Sequence, residues 1–266
     1  MTDSTRTVSE IRGGVVLPAR REPVTLTTPD GLKLVGELAL PASGTPHATL
    51  VTLHPLPTSG GFMDSHILKK MSNRLPALAD VAVLRFNTRG TSSPAGTSEG
   101  EFGDGEQEAG DVAAAMALVA ERSLPDPWLV GWSFGADLAL KHGPDYPIRG
   151  AILLSPTLGR TTPAELERWA RGDRRLIAIV PEHDQFLDPA AAARAFAGLP
   201  HTELIAVEGG KHLWVGEKQV SRVMNEIVKA VNPVFYPLPT VWNGPVVSET
   251  SDAATTRSDE APTPGG

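Results

Sequence analysis

Short apolar runs recur along the chain, separated by amphipathic stretches of helical period. Residues 23–28 alternate apolar and polar positions, Asp30-Gly31 supplies turn chemistry, and residues 32–40 alternate again. That pattern predicts an antiparallel hairpin. Residues 49–53 are nearly continuous in apolar character, as an interior strand of a parallel sheet is. A helical spacing then covers 65–78, a strand 81–86, and, after a glycine-rich loop, a helix about 106–122. Residues 127–130 read as a buried strand and 137–142 as a helix that stops at Gly143-Pro144. Strands at 151–154, 176–180 and 203–207 then alternate with helices at 163–171, 189–197 and 217–231. Strand alternating with helix predicts an α/β fold with parallel pairing, right-handed crossovers and helices on both faces. Residues 1 to about 20 are polar and mixed, which predicts a poorly ordered arm ahead of a domain spanning 21–232. From 233 to 266 Pro, Thr, Ser and Gly dominate. The three aromatics within 235–242 are expected to keep that part against the domain, and the chain beyond Ser248 reads as disordered.

Between the strand at 127–130 and the helix at 137–142 stands Gly131-Trp132-Ser133-Phe134-Gly135. A Gly-x-Ser-x-Gly turn from strand to helix is a nucleophile elbow, in which two glycines allow close backbone approach and the serine projects at a helix N-terminus. The pattern alone does not select Ser133, because Gly96-Thr97-Ser98-Glu99-Gly100 matches it too. That second match lies among turn-forming residues, with no strand before it, so Ser98 is a loop serine.

A serine hydroxyl attacks only when a base takes its proton, and the base needs a carboxylate to orient it. In this arrangement acid and histidine follow the serine in chain order, each at the carboxyl end of a strand. His212, after Gly209-Gly210 at the end of the last strand, is the expected base. Asp184, in the first turn after the strand at 176–180, is the expected acid. Asp188 precedes Pro189 and reads as the N-cap of a helix, Glu182 is a third choice, and Ser155-Pro156-Thr157 offers no carboxylate at the other acid position. The oxyanion needs two N–H donors. Phe134, next to the serine, is one; in His54-Pro55-Leu56-Pro57, proline lacks an N–H, so Leu56 is the other. His54 itself reads as a loop-bonding residue, and Arg89 in Asn87-Thr88-Arg89-Gly90 as scaffold. Glu108 and Asp111 are expected to be solvated. The connection holding Arg160 and Trp169 has room for one short helix, so any cover over Ser133 is small.

Composition narrows the chemistry further. A net charge of −7 over 266 residues argues against a general nucleic-acid or anionic-membrane binder. With no cysteine, disulfides, thiolate zinc sites and a cysteine nucleophile are excluded. Met1-Thr2-Asp3-Ser4-Thr5-Arg6 lacks the apolar region of a signal peptide and no stretch is long enough to span a membrane, which makes cytoplasmic the default expectation. No ligand cluster or phosphate-binding glycine loop implies a metal or organic cofactor, and the expected partner is a small-molecule acyl substrate.

The runs Leu53-His54-Pro55-Leu56-Pro57, Leu84-Arg85-Phe86-Asn87-Thr88-Arg89-Gly90 and Gly131-Trp132-Ser133-Phe134-Gly135 resemble the α/β-hydrolase fold superfamily over roughly residues 23–232. Within it they look like a lidless, dienelactone-hydrolase-like bacterial group. The resemblance implies an eight-stranded sheet whose second strand is antiparallel, a minimal lid, and a Ser133–His212–Asp184 triad. Serine stands where dienelactone hydrolases use cysteine. The expected activity is hydrolysis of small carboxylic esters through an acyl-enzyme. The alternatives are a thioesterase or peptidase with the same triad, or a non-catalytic binding protein on this scaffold with 235–242 contacting a partner.

Overall fold

A computed structural model describes residues 8–246. Among the described residues, twelve strands and six α-helices follow one another as β1 (Val8–Glu10), β2 (Ala19–Thr27), β3 (Lys33–Pro41), β4 (Ala48–Leu53), α1 (His66–Ala79), β5 (Val81–Phe86), β6 (Ser92–Ser93), β7 (Gly96–Thr97) and α2 (Ala109–Glu121). The second half continues with β8 (Pro127–Trp132), α3 (Phe134–His142), β9 (Gly150–Leu154), α4 (Pro163–Ala170), β10 (Arg175–His183), α5 (Pro189–Ala195), β11 (Thr202–Lys211), α6 (Glu217–Val231) and β12 (Val241–Asn243). Eight strands form one sheet in the order β11-β10-β9-β8-β4-β5-β3-β2. The second of them along the chain, β3, runs antiparallel to both neighbours, and the rest from β5 to β11 pair in parallel.

The interior strands are apolar on both faces because helices cover both. Leu50, Val83, Val130, Ile152 and Ile177 pack beneath α1 and α6. Val51, Leu84, Leu129, Leu153 and Ala178 pack on the opposite side, against α2 and α3. Helix α1 runs through Pro76, which cannot bond the carbonyl four residues back. That carbonyl, of Ser72, accepts from Arg21 Nη2 at 3.0 Å instead, so the break in the ladder ties α1 to β2.

Three expectations need correction. Residues 8–20 are not a loose arm: Val16 and Leu17 are buried, Leu17 N–H donates to Asn73 O at 2.9 Å, and β1 pairs with β12. Residues 1–7 and 247–266 lie outside the described residues, and with them the stretch beyond Ser248 where disorder was expected. Helix α2 begins at Ala109 rather than near 106, because the Glu108 carboxylate accepts from the Gly103 and Gly105 N–H groups at 2.8 and 2.7 Å and holds that stretch in turns. Strands β10 and β11 run past their apolar stretches, with an irregularity in register between Pro181 and His183. A Cβ on Gly210 would lie 2.9 Å from Pro181 Cβ, so the glycine lets the two strands stay paired up to Lys211. The tail residue Leu238 is buried, its N–H bonded to Asn225 Oδ1 at 2.8 Å, and Trp242 packs on the α1/α6 layer. Among the described residues no helix is long and apolar enough to cross a membrane.

Candidate active site

Strand β8 ends at Trp132 and α3 starts at Phe134, leaving Ser133 alone on the bend with φ +55° and ψ −113°. Non-glycine residues rarely adopt a positive φ, and here it lifts the hydroxyl clear of the sheet. The flanking glycines are required by space. A Cβ on Gly131 would fall 2.2 Å from Gly135 O, and one on Gly135 would fall 2.0 Å from Leu53 O. The second contact also presses the start of α3 against the end of β4, bringing the loop after β4 beside the serine.

Two turns at the carboxyl ends of β10 and β11 complete the arrangement. Ser133 Oγ lies 2.9 Å from His212 Nε2. His212 Nδ1 lies 2.9 and 3.1 Å from the two carboxylate oxygens of Asp184. With the Nδ1 proton donated to Asp184, Nε2 is left as acceptor for the serine hydroxyl, a tautomer assigned from the hydrogen-bond pattern. Burial pushes the Asp184 carboxyl up, but the hydrogen bonds from His212 and from the Phe186 N–H at 2.9 Å outweigh it and hold it below the ordinary carboxylate value. The acid is therefore ionised at neutral pH.

The N–H groups of Phe134 and Leu56 have no hydrogen-bond acceptor among the described residues. His54 explains how the second is aimed. Its Nε2 accepts from the Thr88 main-chain N–H at 3.0 Å, so Nδ1 carries the proton and donates to Pro55 O at 2.7 Å. In a trans peptide C=O and N–H point in opposite directions, so fixing the Pro55 carbonyl also fixes the Leu56 N–H. His54 is fully buried and its pKa falls to about 4, lowered by burial against the opposing pull of the Pro55 carbonyl.

A cleft of about 770 Å³ opens over Ser133, with Pro55, Leu56, Ser59, Phe186, Leu213 and Val215 in its lining. The Phe186 ring lies 4.6 Å from the His212 ring. None of residues 156–171 lines the cleft. Helix α4 is fastened to α3 instead: Trp169 Nε1 donates to Leu140 O at 2.9 Å, and buried Lys141 pairs with Glu106 and Glu165 at 2.7 and 2.9 Å. Asp137 of α3 accepts from Thr157 and Thr161 at 2.7 and 2.9 Å.

Other sequence candidates lie away from the cleft. Ser98 is buried, donating to Asn87 O at 2.8 Å and accepting from Val35 N–H at 3.0 Å. Asp188 caps α5 through Ala191 N–H at 2.7 Å, and Glu182 accepts from Gly209 N–H at 2.8 Å. Glu108 and Asp111 are buried, contrary to the solvated reading, because each serves a buried donor: Glu108 the glycine N–H groups, Asp111 the Arg89 main-chain N–H at 2.8 Å and its guanidinium at 2.8 and 2.9 Å. Among the described residues no group of three or more His, Asp or Glu side chains is placed to hold a metal ion.

No protein-family model matches the chain, and no curated relative does. Solved structures do. A lidless α/β serine hydrolase of Xanthomonas campestris superposes with a TM-score of 0.65 at 25% identity, covering 84% of this chain and 98% of that one. The chain belongs to the α/β-hydrolase fold superfamily. A serine hydrolase homologue of Coxiella burnetii (TM-score 0.67, 20% identity, 79% and 97% of the two chains) and a Pyrococcus furiosus esterase (0.64, 18%, 80% and 93%) share the fold with this α/β-hydrolase. The likeness to the Xanthomonas campestris serine hydrolase supports a hydrolase.

Four side chains around the site of this α/β-hydrolase escaped the sequence reading. Phe186 sits two residues after Asp184, a spacing that could have marked it. Trp132, Ser155 and His66 contact the turn carrying His212 through its backbone carbonyls, and a carbonyl acceptor leaves no trace in residue type.

Proposed function

We propose that this protein is a serine hydrolase that cleaves small carboxylic esters through an acyl-enzyme. The observation that carries the reading is the unbroken hydrogen-bond chain from Ser133 Oγ through His212 to Asp184, with links of 2.9 and 2.9 Å, on the wall of an open cleft. In the first half-reaction Ser133 Oγ attacks the carbonyl carbon while His212 Nε2 takes its proton. Asp184 steadies the imidazolium, and the Phe134 and Leu56 N–H groups receive the carbonyl oxygen as it becomes negative. Each such donor is worth about 2.7–4 kcal/mol of barrier. Collapse expels the alcohol, which takes the proton from His212, and water deacylates the serine by the same steps.

The walls favour an apolar group on the substrate. Phe186, Leu213 and Val215, all in the lining of the cleft, are 59%, 57% and 73% exposed. The other exposed large apolar side chains among the described residues are Val8, Val234, Phe235, Tyr236, Val241 and Val246, all in the terminal segments. Apolar exposure on the body of the domain is thus concentrated where a substrate would lie. Thioesters and amides meet the same machinery and are the reference arms of the assay. The test is labelling with a fluorophosphonate, read by mass spectrometry, beside turnover of short acyl esters. Label on Ser133, lost in Ser133→Ala together with turnover, supports the reading; label elsewhere, or none with no turnover, overturns it.

A further inference from the structure

We infer that Trp132 and Ser155 are positioning residues for the base, acting together on one atom, the main-chain carbonyl oxygen of His212. This rests on the triad reading above. The indole Nε1–H of Trp132 donates to His212 O at 3.1 Å, and the hydroxyl of Ser155 donates to the same oxygen at 3.1 Å. Both side chains are buried, at 2% and 0% exposure.

The surroundings make the shared oxygen the point on which the base depends. The His212 side chain touches Asp184, Ser133 and the Phe186 ring, and the first two are the groups it would work on. Its height over Ser133 is therefore set through the backbone. The next carbonyl, of Leu213, accepts from His66 Nε2–H at 2.7 Å, and that imidazole stands edge-on to the Trp132 ring at 5.3 Å. The turn closes with Trp214 N–H donating to Lys211 O at 2.9 Å. Trp214 sits at φ +51°, a conformation unfavourable for a bulky side chain, with its ring wholly buried in the α1/α6 layer. The turn is thus held in one shape from below, while its cleft side is open.

Chain connectivity adds the decisive link. Trp132 and Ser133 are consecutive, and both bond to His212: one to its carbonyl, the other to its ring. Two adjacent residues of the elbow therefore fix one residue of another loop at two points, which sets the distance between nucleophile and base. Ser155 supplies the second donor from the end of the neighbouring strand β9, where its φ of +46° turns it out of the sheet and its N–H is held by Ile179 O at 3.0 Å. The middle residue of Gly-Trp-Ser is on this account part of the base's support as well as of the core.

Two donors on one acceptor predict a particular pattern of loss. Either alone satisfies the carbonyl, so Trp132→Phe or Ser155→Ala should lower kcat for a short ester about 3- to 10-fold, the worth of one hydrogen bond. The double variant leaves a buried carbonyl without a donor, and its kcat should fall by more than the product of the two, about 100-fold or beyond. KM should stay within about twofold of wild type in all three, since neither residue lines the cleft. The full chain is used, with thermal melts beside the kinetics. A double variant that is folded and keeps kcat within about twofold overturns the inference, as do losses that appear in KM rather than kcat. If the double variant does not fold, the singles decide: two folded singles with wild-type kcat overturn it. A wild-type protein that neither reacts with a fluorophosphonate nor turns over esters fails the triad reading instead, which separates the two outcomes.

Discussion

Replacing His54 by leucine tests whether a buried residue outside the proposed triad aims the proposed oxyanion site. The imidazole makes two bonds that matter: its Nδ1–H holds the Pro55 carbonyl at 2.7 Å, and its Nε2 accepts the Thr88 N–H at 3.0 Å. Leucine removes both. Loss of the first frees the Pro55–Leu56 peptide to rotate, with the full value of one oxyanion donor, about 10²- to 10³-fold in kcat, as the ceiling. Pro55 and Pro57 still restrict the loop, so the expected fall is about 10- to 100-fold. Loss of the second bond strands the buried Thr88 N–H and should cost about 1–3 kcal/mol of stability. His54→Asn separates the two effects, because an asparagine amide nitrogen lies close to where Nδ1 sits. It should keep kcat within about threefold while losing similar stability. The assay is kcat on a short ester with urea melts on the same samples. The reasoning is refuted if folded His54→Leu retains wild-type kcat, or if the asparagine variant falls as far as the leucine one. Acid adds a second signature. With a folded pKa of about 4 against an ordinary 6.5, His54 stays neutral while the unfolded chain takes up a proton. The unfolded state binds more protons in that window, so stability should fall by at most about 3 kcal/mol as pH drops from 6.5 to 4. Variants lacking the imidazole should lose that slope.

Asp184→Asn should preserve the geometry but leave His212 in the wrong tautomer, lowering kcat about 10⁴-fold with KM little changed; a loss below tenfold on a short ester would remove the acid from the mechanism. Glu217, paired with Lys70 at 3.0 Å and with buried Arg74, has its pKa lowered to about 2. Burial opposes that shift, but the Arg74 and Lys70 bonds prevail. Its folded pKa is depressed, so its contribution is present above pH 4.5 and lost as pH falls toward 2. Because the Glu217 carboxylate is a third exposed and solvent screens the pair, Glu217→Gln should cost about 1–2 kcal/mol in urea melts at pH 7 and much less at pH 2, with the Arg74 guanidinium left on the Gly13 carbonyl. If the Phe186–Leu213–Val215 wall binds the acyl chain on one side, each added methylene should raise kcat/KM about twofold, half the value of full burial. Leu213→Ser/Val215→Ser should flatten that series; an unchanged slope would place the chain elsewhere.

What could be read along the chain, and what could not, follows from the range of the interactions involved. Strands such as Val81–Phe86 declare themselves because both faces are buried and nearly every position is apolar. Ser133, His212 and Asp184 were marked by local context, a glycine elbow and two strand ends, and they do converge in space. Glu108 and Asp111 misled because a buried carboxylate looks like a solvated one until its donors are known, and those donors, Arg89 and two glycine N–H groups, come from the preceding loop. The continuation of β11 through Glu208-Gly209-Gly210 was hidden by the glycines themselves, which mark turns in most settings and here let two strands stay close. The three-residue strands β1 and β12 are too short to carry a period and exist because they meet each other.

That meeting of β1 and β12 bears on how the protein can be cut and joined. Val8 lies opposite Asn243, and Ile11 N–H reaches Thr240 O at 2.9 Å, so two stretches more than two hundred positions apart run side by side. Trimming back to Asn232 would therefore unzip the opening segment and pull Leu238 from its seat, whereas shortening only as far as Val246 spares both. It also makes the chain a natural substrate for circular permutation: a brief linker could bridge the clasp, and new ends could be opened in a distant surface loop while the elbow and its two partner turns stay intact.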